Sequence, residues 1–163
     1  MKRFSSSAGL AVVLFASLAL IRPAAAGDQV PLKGSFEGTS ARTPLDPPFV
    51  QDVITASGQA THMGRFDLVA TAVVNLPTRS AVGTYELVGA NGDTLTATFT
   101  GVSQPTPTPG VILITETATI TGGTGRFAGA SGGFVVERLF TPATGETTGS
   151  IEGTVSSPGS NKK

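Results

Sequence analysis

Two charged residues stand in the phase of apolar ones. Along Ile112-Leu-Ile-Thr-Glu-Thr-Ala-Thr-Ile120, every second residue is Ile112, Ile114, Glu116, Ala118 and Ile120. Along the next alternating run, Phe134, Val136 and Phe140 share their phase with Arg138. A carboxylate on an apolar face is costly unless it is paired, hydrogen-bonded or protonated. One set of readings is structural. Glu116 pairs with Arg138 across neighbouring strands, or a one-residue slip of register turns both out into water. The other is chemical: an acid or base with a raised pKa, held in an apolar cavity to move a proton or to orient a polar group of a ligand.

The remaining polar residues offer less. His62 is the only histidine, in Gly58-Gln-Ala-Thr-His-Met-Gly-Arg-Phe66. With no second histidine and no cysteine it supports neither a triad nor a metal site, and it reads as a turn residue at the tip of a hairpin. Arg65 and Arg126 each occur as Gly-Arg-Phe after a turn, which suits a guanidinium covering the end of a barrel with its stem on apolar surface. Gly122-Gly-Thr-Gly125 resembles a phosphate loop only in its glycines. It lacks the Gly-Lys-Ser/Thr ending, and no helix is expected over 128–133. No metal and no cofactor is expected.

The elements that must position these side chains are strands. Alternation dominates the chain after residue 26, with abundant Thr, Val and Gly, the signature of an all-β protein. Eight strands are predicted, near 31–39, 49–60, 63–76, 80–89, 93–102, 111–121, 132–141 and 147–156. Asn91-Gly92 is the strongest hairpin signal, with Met63-Gly64, Thr144-Gly145 and Leu76-Pro-Thr-Arg79 as further turns. The proline-rich stretch 104–110 is expected to stay out of any ladder, and 41–48 to form the other long, stiff connection. Short connections imply antiparallel neighbours, and closing the sheet removes its edges. The fold expected is an eight-stranded antiparallel β-barrel, with a β-sandwich as the alternative. Six glycines between Thr119 and Gly133 suit a sharp corner of that barrel, with Phe127 as a plug for its end. The inward face carries Leu32, Phe36, Ile54, Ala56, Phe66, Leu68, Ala70, Ala72, Val74, Tyr85, Leu87, Leu95, Ala97 and Phe99. Thr94, Thr96, Thr98 and Thr100 form a solvent-facing ladder.

The chain opens Met1-Lys-Arg-Phe, runs apolar from Gly9 to Ile21 and reads Ala24-Ala-Ala26 before Gly27. These are the three parts of a secretory signal peptide; the apolar run falls short of the roughly 20 residues that span a bilayer. Residues 1–26 are therefore expected to be removed, 27–156 to form one barrel domain and 157–163 a flexible tail. Export to the periplasm or beyond the cell follows. The formal charge of the whole chain is zero, but three of its 11 basic residues and none of its 11 acids lie before residue 27, leaving a net of −3. With no basic run, nucleic acid and anionic membrane surfaces are poor partners. Cysteine is absent, which excludes disulfides, a lipidated anchor and thiol chemistry.

The segment 120–132 resembles the glycine-rich corner shared by allene oxide cyclase-like barrels and dirigent proteins. Gly58-Gln-Ala-Thr-His-Met-Gly-Arg-Phe66 is similar to a motif of exported bacterial members of the cyclase-like group. The resemblance implies an eight-stranded barrel with an apolar cavity, assembled as a homo-oligomer, a trimer above all. Plant cyclases of this type close an unsaturated fatty-acid epoxide into a cyclopentenone, and dirigent proteins steer the radical coupling of phenols. Glu37 and Glu116 are the conceivable counterparts of the cyclase's cavity carboxylate. The corner motif transfers fold rather than activity, and the absence of cysteine departs from the disulfide of plant dirigent proteins.

Three readings of function remain open. The first is an exported, cofactor-free barrel holding a small apolar or amphipathic molecule, with Phe36, Phe66, Tyr85, Phe99, Phe134, Glu116 and Arg138 as ligand contacts. The second is an isomerase or cyclase in which Glu116, Glu37 or His62 handles a proton while the barrel restrains the substrate. The third is a non-enzymatic surface scaffold with a packed interior. Val53, Val69, Val73, Val111, Leu113, Val135 and Leu139 form an outer apolar strip that would suit contact between subunits.

Overall fold

The computed structural model describes residues 28–156. The leader proposed over 1–26 and the tail over 157–163 lie outside the described residues. Eight strands follow one another in the chain: β1 (Gln29–Pro44), β2 (Phe49–Ala60), β3 (Gly64–Asn75), β4 (Ser80–Gly89), β5 (Thr94–Pro105), β6 (Ile112–Gly123), β7 (Gly132–Thr141) and β8 (Glu146–Ser156). Each pairs antiparallel with the next, and β8 returns to β1, so the sheet is a closed barrel with no free edge. The sandwich alternative is thereby set aside. No helix among the described residues is long and apolar enough to cross a membrane.

The predicted alternation holds on every strand. Leu32, Phe66, Leu68, Leu87, Leu95 and Phe99 are buried inside, whereas Thr98 and Thr100 face out. Hairpin glycines 64, 92 and 145 all take positive φ, which the tight turns between strands demand. On the outer face, Val69, Val73, Val135 and Leu139 of the expected apolar strip are exposed, and Val53, Val111 and Leu113 half-buried.

Two expectations about the stiff connections need correction. Strand β1 runs on to Pro44 and pairs there with Val50. Strand β5 runs through Gln104 and Pro105, which pair with Leu113 and Ile112. A proline removes a donor but not an extended conformation, so it can sit at the last rung of a ladder.

The two ends of the barrel differ. At one end lie the β2–β3 and β4–β5 hairpins and the corner between β6 and β7. A short 3-10 turn, Gly125–Phe127, swings the Phe127 ring inward, where it is 1 % exposed. Asp93 and Arg126 close over it at 2.9 Å. Both ends of the described chain also meet here, Gln29 standing opposite Ser156 in the β1–β8 ladder. At the other end the inward positions are small: Ala72 on β3, Ala81 and Gly83 on β4, and Gly101 on β5. That end is open.

Candidate functional site

The small inward residues leave a cavity of about 280 Å³ at the open end. Its walls are Ala72, Val74, Ala81, Ile112, Ile114 and Phe140, and its floor is formed by Glu116 and Arg138. The floor exists because two glycines make room for it. Gly101 of β5 lies directly across from Glu116, and Gly149 of β8 directly across from Arg138. A Cβ at Gly101 would stand 2.7 Å from Glu116 Cγ, and one at Gly149 would stand 2.8 Å from Arg138 Cβ. Glu116 and Arg138 are diagonal neighbours on β6 and β7, since Glu116 faces Val136 two residues before Arg138. That separation suits two long side chains.

They meet as a two-point ion pair. Arg138 donates from Nη2 to Glu116 Oε1 at 3.0 Å and from Nε to Oε2 at 3.1 Å. Tyr85 on β4 donates its hydroxyl to Oε2 from the far wall. Thr147 Oγ1 lies 3.5 Å from Arg138 Nη1 and donates onward to the Leu139 carbonyl at 3.0 Å. Glu116 is 1 % exposed and Arg138 4 %. Burial pushes the Tyr85 hydroxyl well above its ordinary value, and the Glu116 carboxylate beside it adds to the rise. Burial works against the Arg138 charge, but Glu116 outweighs it and holds the guanidinium above its ordinary value.

Of the two readings of the anomalous charges, the geometry is that of the ion pair. Every hydrogen bond that reaches Glu116 comes from a donor, Arg138 or Tyr85, and both carboxylate oxygens are engaged as acceptors. The one-residue slip is ruled out by the register itself, which keeps both residues inside.

At the mouth a second pair spans β1 and β2, where Arg42 and Asp52 are direct cross-strand partners. Arg42 Nε and Nη2 each donate to an Asp52 carboxylate oxygen at 2.7 Å. The guanidinium also lies over the Phe140 ring, 5.7 Å from its centre. The hydrogen bond to Asp52 raises the pKa of Arg42. Arg79, Ser103 and Gln104 complete the rim. Neither Arg42 nor Asp52 belongs to the sequence-derived candidates. Asp52 shares the phase of Val50 and Ile54 and carries the same signal as Glu116; Arg42 is hidden by ending the first strand too early.

The other candidates are dispersed. Phe99 and Phe134 pack against Tyr85, with ring centres 4.6 Å and 5.8 Å away. These rings fill the middle of the barrel, and Phe36 and Phe66 are buried with them. Of the seven expected ligand contacts, only Glu116 and Arg138 line the open-end cavity. Glu37 points outward into a broad trough of about 1000 Å³ that crosses the outer faces of β7, β8, β1, β2 and β3. Its position places it outside the interior in which a proton-handling role was expected. His62 is exposed at the β2–β3 turn in a left-handed conformation, φ 63°, at the end opposite the cavity. Among the described residues no group of three or more His, Cys, Asp or Glu could hold a metal ion.

Comparison of the chain with family models, with characterised proteins and with solved structures finds no match.

Proposed function

We propose that the protein is an exported binding barrel that takes one small, largely apolar molecule into its open end. The observation that carries this reading is the cavity of about 280 Å³, apolar on its walls and closed below by a self-satisfied polar floor. Apolar walls with a few placed polar groups are the usual make-up of a small-molecule site. The volume is on the order of nine water-sized units, which sets the scale of the occupant. The leader-like pattern of residues 1–26 supports export, and the resemblance of the 120–132 segment to the corner of cyclase-like barrels is compatible with a cavity that binds. The polar groups of the floor are engaged with one another, which supports binding as the first reading of the site.

Titration of the full chain with 1-octanol, followed by amide chemical shifts, tests the proposal. Saturable shifts are expected at Ala72, Val74, Ala81 and Ile112. They should vanish in Ala81→Phe, whose ring would occupy the cavity. Absence of saturable shifts in the unmodified protein, or binding unaffected by Ala81→Phe, would overturn it.

A further inference from the structure

The cavity holds one more positive charge than its own ion pairs use. Five charged side chains line it: Arg42, Arg79, Arg138, Asp52 and Glu116. Arg42 is engaged by Asp52, and Arg138 by Glu116. Arg79 has no carboxylate partner among the described residues. It ends the β3–β4 turn in a left-handed conformation, φ 55°, and its carbonyl accepts the Ser103 N–H at 2.9 Å. The backbone that carries the side chain is therefore tied to the end of β5. Ser103 and Gln104 follow on the same stretch of rim and bring further donors. Asp46 and Glu146 belong to the same end of the barrel but do not line the cavity.

We infer that the occupant is a compact apolar monoanion, a short-chain or small aromatic carboxylate, with its head on Arg79 and its tail on Ala72, Val74, Ala81 and Ile112. The inference rests on the binding reading above and adds the charge and size of the ligand. A guanidinium presents paired donors that match a carboxylate. One uncompensated cation calls for one negative charge, which favours a carboxylate over a doubly charged phosphate ester. Arg79 is exposed at the rim, so the contact is partly screened by solvent and modest in strength. The limited volume excludes a long acyl chain from lying wholly inside.

The test compares four probes on the full chain: octanoate, 1-octanol, octylammonium and hexadecanoate. Each is titrated against the unmodified protein, Arg79→Lys and Arg79→Asn. Asparagine tolerates left-handed backbone, so Arg79→Asn removes the charge without straining the turn. Octanoate is expected to bind about fivefold more tightly than 1-octanol, the scale of one solvent-exposed charge contact. That ratio should fall to about one in Arg79→Asn, with 1-octanol unaffected, and partly return in Arg79→Lys. Octylammonium and hexadecanoate should both bind more weakly than octanoate. Equal affinity for octanoate and 1-octanol, or a preference that survives Arg79→Asn, overturns the anion inference while leaving the binding reading intact. Hexadecanoate binding as tightly as octanoate overturns the size limit. Failure of 1-octanol itself to bind removes the binding reading, and this inference with it.

Discussion

The two ends of this barrel are built from one alternating pattern and reach opposite results. At the closed end the inward positions of the strands are Leu32, Leu68, Leu87, Leu95 and Ile151, none more than 2 % exposed, with Phe127 swung in from the corner. At the open end they include the small Ala72, Ala81 and Gly101 beside Val74, Ile112, Ile114 and Phe140, with charged residues at Arg42, Asp52, Glu116 and Arg138. An eight-stranded barrel has just enough interior to be filled by side chains or to hold one small ligand. Here the choice is made separately for each half, by side-chain volume. The open half also holds Ser40, whose hydroxyl is buried with no hydrogen-bond partner. One half of the molecule is finished as a core, and the other is left as a container.

Substitutions can break that contrast or sharpen it. The largest effect is expected at the plug. Phe127→Ala should cost about 4 kcal/mol, typical of emptying a large aromatic site, whereas Phe140→Ala should cost about half of that, because Phe140 already borders empty space. Urea denaturation of the two variants checks the comparison, and equal losses would erase the distinction between the ends. Next comes the floor. Removing one partner, as in Arg138→Met, strands a buried carboxylate and should cost about 3 kcal/mol. The double change Glu116→Leu with Arg138→Met should recover part of it, since an apolar pair can replace a buried ion pair but leaves the buried Tyr85 hydroxyl without its acceptor. A double variant as unstable as the single one would mean that the pair contributes more than its own satisfaction.

A smaller effect, about 2 kcal/mol, is expected for Gly101→Ala. Its methyl group would press on Glu116 Cγ, and overpacking of this kind typically costs that much. A melting series would register it, together with weakened octanoate binding as the floor shifts. The subtlest test is alkaline. Tyr85 is held above its ordinary value of 10.0, so the folded protein keeps a proton that the unfolded chain gives up near that value. The stability from this difference is complete below pH 10.0 and is lost as the pH rises through the higher folded value. Tyr85→Phe should show a flatter stability profile above pH 10.0, read from denaturation midpoints.

How much of this was legible in the chain depends on whether a feature is local. Alternation named the inward face, because a strand reports its orientation at every second residue. Asn91-Gly92 and the other turn dipeptides placed the hairpins. The anomalous phase of Glu116 and Arg138 made their pairing one of the open readings, since β6 and β7 are consecutive; the register decides it. The cavity was not legible in the same way. It arises where Val74, Ala81 and Gly101 stand opposite one another on three neighbouring strands, with Ala72 one inward position further in, and that alignment depends on barrel register. Aromatic residues were expected to line a site; instead Phe99 and Phe134 pack against Tyr85 and fill the middle. Arg42 falls beyond the predicted end of the first strand near 39, whereas the strand continues to Pro44. Arg79 lies in a turn, where alternation carries no information.

The meeting of Gln29 and Ser156 at the closed end has a practical consequence. A linker, label or solid support joined to the chain before Gln29 or after Ser156 holds the barrel by its sealed base. The mouth, a strand's length away, then faces the surrounding solution. Immobilised sensors and display formats could use either attachment interchangeably, with no redesign of the rim.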